Sequence, residues 1–238
     1  MMATEEPSWD EGEGLLNGGA AGAGAAKKAG RGSPPPQVMS MCGLLSLQFY
    51  QPYFDVDTSE VKARLLQAAW PRRTALTFLG ESESSKQADL YGPVWVSATL
   101  VFLISVAANA RREMMEDASD GEFSEVFTSM YSVLAYLAVG SAGLWSFFRV
   151  HNVPLSSAEA LSVYGYSLTP FLAAAPLCLF SWPFRSCGLA TASLLAAIFV
   201  LRSSWPRLLE HMPENSQGLL LAVVATYHVL WFLLLTVV

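Results

Sequence analysis

The stretch PVWVSATLVFLISVAANA, from Pro93 to Ala110, runs for 18 residues without a charge. At ~1.5 Å per residue, a helix of that length together with Tyr91 crosses a hydrocarbon core of ~30 Å. Its flank, Asp89-Leu90-Tyr91-Gly92-Pro93, has the chemistry of a helix start. Pro93 suits the first helical position, where a missing N–H costs nothing, and Gly92 permits the turn. The Asp89 carboxylate complements the positive end of the helix. Tyr91 and Trp95 suit the headgroup boundary.

Four further apolar stretches follow, at about Val126 to Phe148, Leu161 to Phe180, Ser186 to Leu201 and Gly218 to Val238. The Ser186 stretch is short and needs its flanks, or a thinner bilayer, to span. Lipid offers backbone groups no hydrogen-bond partners, so an open sheet is excluded and these segments must be helices. The expected fold is therefore all-α and polytopic, with five transmembrane helices over 89–238. A cytosolic segment with a short amphipathic helix (44–88) and a largely disordered cytosolic tail (1–43) precede them. Composition agrees: 53% of residues are hydrophobic and 14% charged, against roughly 25% charge in a soluble domain. The net charge of −6 gives no basic surface for nucleic acid.

Gly and Ala dominate Gly18 to Ala26, and Pro34, Pro35 and Pro36 favour extended geometry. Such a tail buries too little apolar surface to offset its ordering entropy. It opens with Glu5, Glu6, Asp10, Glu11 and Glu13, not a basic then apolar leader, so targeting is expected from the internal spans. From Leu44 to Asp57 the chain gathers Phe49, Tyr50, Tyr53 and Phe54 with Asp55 and Asp57, interrupted by Pro52. Asp57 then caps a helix with Glu60 three residues on, and Val61, Leu65, Ala68 and Ala69 follow at helical spacing. Trp70-Pro71 ends it. Two settings are open for this helix: flat on the bilayer surface, or packed on the membrane domain. Eight of the 14 Lys and Arg residues precede Asp89. With Arg149, Arg202 and Arg207 they outnumber Arg111, Arg112 and Arg185 on the opposite side, which makes the tail cytosolic and the C-terminus lumenal.

No catalytic site is expected. The five apolar stretches hold no Lys, Arg, Asp or Glu, and His228 is the clear titratable exception. Its expected role is structural, as a neutral imidazole bonded to a neighbouring Ser or Thr, rather than as a proton or metal site. His151 and His211 are expected in loops without a second ligand at useful spacing. The acidic loop from Glu113 to Glu125 departs from a calcium loop, because Ala118 falls at a ligand position. Cys42, Cys178 and Cys187 form no CxxC pair and read as packing residues. No cofactor is implied. Gly188, Ala192 and Ala196, and likewise Gly140 and Gly143, have the small-residue spacing of close helix packing, within one chain by default. In the third span, Pro170 unpairs a backbone carbonyl that Ser167 and Thr169 can partly satisfy. Tyr164-Gly165-Tyr166 beside that kink offers a packing notch or a polar recess.

Asp89 to Pro93 opening the first span, and Tyr164-Gly165-Tyr166 in the third, resemble the paired signatures of the Yip-domain (YIPF) family of Ypt/Rab-GTPase-interacting membrane proteins. Phe49 to Thr58 with Asp89 to Thr99 is similar to its Golgi members, and the likeness runs from about residue 44 to the C-terminus. It excludes the tail before Ser40. The resemblance implies five transmembrane helices, a cytosolic N-terminus and residence in Golgi or early secretory membranes. It also implies association with Rab-type small GTPases and with other Yip-domain proteins as homo- or hetero-oligomers, without catalysis. The expected function is a membrane scaffold in vesicle-mediated transport and Golgi organisation. Its expected partner-binding residues are Phe49, Tyr50, Tyr53, Phe54, Asp55, Asp57, Asp89, Leu90, Tyr91, Gly92 and Pro93, with Tyr164, Gly165 and Tyr166 as an intramembrane motif. A small-solute or ion channel of endomembranes, lined by the kinked third span and His228, is the alternative. A third class is a membrane-shaping protein that wedges the Asp57 helix into one leaflet.

Overall fold

Pro52 and Asp57 shape the segment before the first span. In the computed structural model, residues 47–70, 88–114, 122–180 and 182–237 are described, those at 47–49, 122–123 and 237 by backbone alone. The expected tail at 1–43, with Cys42, and the middle of the acidic loop lie outside the described residues. Helix α1 (Leu47–Phe54) carries Pro52 near its end, and α2 (Thr58–Ala69) starts at Asp57, whose carboxylate accepts from the Ser59 N–H at 3.2 Å. Glu60 reaches forward to Arg64, one turn on, at 3.5 Å. Of the two settings open for α2, the structure shows packing. Val61 and Ala68 are buried, and α2 touches α3 (Tyr91–Met114), α5 (Ser157–Ser167), α6 (Thr169–Ala174) and α7 (Phe184–His211).

Five helical segments are long and apolar enough to cross a membrane: α3, α4 (Glu122–Val150), the α5–α6 unit with its 3-10 extension (Ala175–Leu179), α7 and α8 (Glu214–Val237). No strand occurs among the described residues. Phe102, Leu134, Val139, Leu194, Leu230 and Leu233 all face outward. In water such a belt drives aggregation; in lipid it costs nothing. The chain is a multi-pass membrane protein. Most of the third span is buried, whereas most of the fifth faces outward. The third is the bundle's axis, in contact with α3, α4 and α7, and α8 lies outside against α7 and α4.

Helix lengths correct the expected boundaries. The Ser186 stretch is not short, because α7 continues through Arg202, Pro206 and Arg207 to His211. Charge marks where the helix leaves the apolar zone, not where its hydrogen bonding stops. At ~1.5 Å per residue its 28 residues reach ~42 Å, well beyond a ~30 Å core, so no thinning is needed. His211, expected in a loop, is its last residue. α4 overshoots likewise with 29 residues. The C-terminal ends of α4 and α7, the start of α5, and α1 with α2 form a layer at one end of the bundle, here the near face. The α3–α4 connection lies at the far face.

The turn between α4 and α5 is built by local chemistry. Asn152 takes φ 56°, a left-handed conformation that asparagine tolerates and that often ends a helix. Its N–H donates to the Arg149 carbonyl at 3.2 Å, and the Val153 N–H closes the motif on the Phe148 carbonyl at 3.0 Å. Ser156 then caps α5 in a reciprocal box: its hydroxyl accepts from the Glu159 N–H at 3.1 Å, and the Glu159 carboxylate accepts from the Ser156 N–H at 2.8 Å. The same carboxylate takes Arg207 of α7 at 2.7 Å, and Arg207 also donates to the Pro154 carbonyl at 3.0 Å. One residue pair thus ties the turn to the overhang of α7.

Small residues do the close packing that lipid cannot drive. A Cβ on Gly140 would lie 2.3 Å from the Tyr164 ring, and one on Gly188 would lie 2.6 Å from Leu177 Cδ1. Ala192 and Ala196 are buried on the same face of α7 as Gly188. Gly143 departs from the expectation, since nothing lies within 4 Å of where its Cβ would be. Cys178 and Cys187 are unpaired thiols. Gly140→Ala is expected to destabilise the detergent-solubilised protein by ~1–3 kcal/mol, as overpacking does, because the Tyr164 ring is pinned between Tyr136 and His228. Gly143→Ala serves as the control and is expected to leave the thermal midpoint unchanged or higher. Equal loss in both variants would contradict this packing.

Candidate site at the junction of the two motifs

Asp89 is 2% exposed and stands directly before α3. Oδ1 accepts the Tyr91 and Gly92 N–H groups at 2.7 and 3.3 Å, which satisfies donors that a helix start leaves unpaired. Oδ2 accepts Arg64 Nη1 of α2 at 2.9 Å and the Tyr166 hydroxyl of α5. Four donors from three helices therefore meet one carboxylate. A buried charge is tolerable only when it is paired and fully hydrogen-bonded, and this one is both.

The backbones at this point approach as closely as the side chains allow. A Cβ on Gly92 would sit 2.1 Å from Tyr166 Oη, and one on Gly165 would sit 2.3 Å from Pro93 Cβ. Gly92 makes room for the tyrosine that binds Asp89, and Gly165 makes room for Pro93. Of the notch and the recess, the notch is what the structure shows. The two sequence motifs are the two halves of one contact.

Just beyond it the helix breaks. Pro170 has no N–H for the Tyr166 carbonyl, and the Thr169 hydroxyl donates to that carbonyl at 2.7 Å. Ser167 donates to the Tyr164 carbonyl at 2.7 Å. Deeper still, the fully buried Tyr136 hydroxyl lies 2.8 Å from Ser167 Oγ and 3.1 Å from His228 Nε2. His228 Nδ1–H donates to the Val224 carbonyl at 2.8 Å. Ser193 donates to the His228 backbone carbonyl at 2.9 Å. The ring of His228 is held by a tyrosine, where a Ser or Thr was expected. No group of three metal-ligating side chains occurs among the described residues.

The expected partner-binding residues divide in two. Asp89, Gly92 and Pro93 are buried in the junction, while Tyr50, Phe54, Asp55, Asp57 and Tyr91 are exposed on the near face. Tyr53 and Leu90 are half-buried and join the sets, for the Leu90 N–H donates to the Tyr53 carbonyl at 3.0 Å. Phe49 is described by its backbone in α1. Tyr164 and Tyr166 are buried. Sequence reasoning missed Arg64 as the counter-ion and Tyr136 as the hub, because neither sits at diagnostic spacing from its partner. It also missed the Ser156–Glu159 box, whose spacing is local and diagnostic.

Removing one member of a buried pair strands the other, at a cost of ~3–5 kcal/mol. Asp89→Ala is expected to destabilise the protein by that amount in thermal unfolding in detergent. Arg64→Ala and the double variant should add little to it. Strict additivity of the two single effects would show that the pair is not coupled.

A protein-family model described as the YIPF3 C-terminal domain matches residues 58–237. The chain is 28% identical over 190 residues to the Protein YIPF1 homolog of Dictyostelium discoideum, covering 76% of this chain and 52% of that protein. It thus spans about half the length of this curated relative. No solved structure matches. The match takes in α2, the Asp89 junction and all five spans, and the chain belongs to the YIPF (Yip-domain) family.

Proposed function

We propose that the chain is a non-catalytic scaffold of Golgi or early secretory membranes, with its N-terminus cytosolic and its C-terminus lumenal. It associates there with Rab-type small GTPases and with other Yip-domain proteins in vesicle-mediated transport. The observation that carries this reading is the exposed strip of Tyr50, Phe54 and Asp55, beside Tyr91 and fixed to the bundle through Tyr53 and Leu90. Aromatic anchors on a rigid support are what a protein partner binds well, because little side-chain entropy remains to be lost. Lys62, Arg149, Arg202 and Arg207 belong to near-face elements, whereas Arg111, Arg112 and Arg185 lie towards the far face, the bias of a cytosolic near side. A channel would place His228 on an open path; instead the imidazole is buried and both its nitrogens are engaged.

Crosslinking in intact cells, followed by affinity capture, tests the scaffold. Tyr50→Ala with Phe54→Ala is expected to lower recovery of small GTPases by about fivefold or more, as loss of interface anchors does. Both side chains are exposed, so the thermal midpoint should stay that of the parent protein. Undiminished GTPase recovery would overturn the reading.

A further inference from the structure

Towards the far face a cavity of about 90 Å³ opens between α3, α4, the third span, α7 and α8. Its floor is apolar, formed by Leu100, Leu168, Phe171 and Trp231. Its rim carries Arg111, Arg185 and Glu125. Glu125 is already paired with Arg112, outside the rim, so among the described residues the two rim arginines exceed the anions facing them. Arg185 gives one bond to the Thr236 carbonyl at 3.2 Å. Arg111 has no hydrogen bond or ion pair among the described residues.

The wall between rim and floor is unusual. Hydroxyls on membrane helices normally return to the carbonyl one turn back, as Ser97, Ser105, Ser141 and Thr191 do here. Thr128, Ser129 and Ser132 on α4 line the cavity without a hydrogen bond among the described residues. Ser129 is 5% exposed, so its bare hydroxyl has the cavity as its surroundings. Cations outermost, hydroxyls next and hydrocarbon innermost is the polarity of a phospholipid inserted from that side.

We infer that this cavity is a binding site for an anionic phospholipid of the far leaflet. The phosphate lies between Arg111 and Arg185, the glycerol region meets the α4 hydroxyls, and part of an acyl chain enters over Leu100 and Trp231. Basic recesses between membrane helices hold acidic headgroups in this manner on the cytoplasmic side of membranes, and Arg111 with Arg185 offers the same chemistry to the far leaflet. A soluble phosphate would leave the apolar floor empty, and a neutral lipid would leave the two guanidinium groups uncompensated.

Native mass spectrometry of the full chain in neutral detergent tests this with phosphatidylserine and phosphatidylcholine at equal concentrations. Retention of phosphatidylserine is expected to exceed that of phosphatidylcholine by roughly tenfold, from two arginines near the headgroup. Arg111→Gln with Arg185→Gln should abolish the preference. Ala108→Phe, which fills the cavity and keeps both charges, should remove the retained lipid itself. Equal retention of the two lipids by the unaltered protein overturns the site and needs no variant. Preference surviving Ala108→Phe places the lipid on the outer surface, and displacement by excess inorganic phosphate makes the ligand a free anion; either also overturns it. GTPase recovery is a separate readout, so either proposal can fail while the other stands.

Discussion

One buried carboxylate organises the near half of this protein. Asp89 caps α3, receives Arg64 from α2 and receives the Tyr166 hydroxyl from the third span, so a single charge sets three helices at once. Water cannot relieve it, because the side chain is 1% exposed. Every donor must therefore come from the protein, and each donor belongs to an element whose position is thereby constrained. The glycines at 92 and 165 follow from the same requirement, since any Cβ there would push the tyrosine or the proline away. What looks like two separate motifs in the sequence is one geometric condition.

Lipid removes the ordinary glue between helices, so association rests on close packing and interior hydrogen bonds. The third span supplies both. It presents Gly165 to Pro93, Tyr164 to Gly140 and Ser167 to Tyr136, and it survives Pro170 because Thr169 covers the carbonyl the proline leaves bare. Tyr136 extends the contact outward to His228 of α8, while the Tyr227 hydroxyl donates to the Tyr136 carbonyl at 2.7 Å. The polar groups around Tyr136 are spent on each other.

The number and type of the membrane spans were legible in the sequence because the bilayer writes its thickness directly into runs without charge, whereas α1 was not. Asp57 as a cap, the carbonyl left by Pro170 and the packing role of Gly188 were legible for the same reason: each depends on neighbours within one or two turns. Where α7 ends was not, since Arg202 and Arg207 marked the edge of the apolar zone and the helix simply continues past it. The Asp89 junction was half legible. Its residues stood out, but their convergence spans 77 residues between Asp89 and Tyr166, and no local pattern encodes a contact of that separation. Arg64 could not be chosen over the other tail cations without knowing how α2 lies. Gly143 shows the opposite limit, for its spacing from Gly140 matches a packing face while its own surroundings are open.

The two ends of the bundle are built differently, and the difference has a physical basis. At the near face two ion pairs cross helix boundaries: Arg64 with Asp89, and Arg207 with Glu159. Those pairs hold α2, α3, α5 and α7 together where helices overhang the apolar zone and lipid no longer confines them. At the far face Arg112 and Glu125 join only α3 to α4, which the chain already connects. Arg111 and the Thr128, Ser129 and Ser132 hydroxyls line the cavity without a hydrogen bond among the described residues. A bundle closed by ion pairs at one end and open at the other can keep a fixed surface towards one compartment while it admits a small amphiphile from the opposite leaflet. The exposed aromatic strip belongs to the closed end, on a surface that the Asp89 contacts already hold in place.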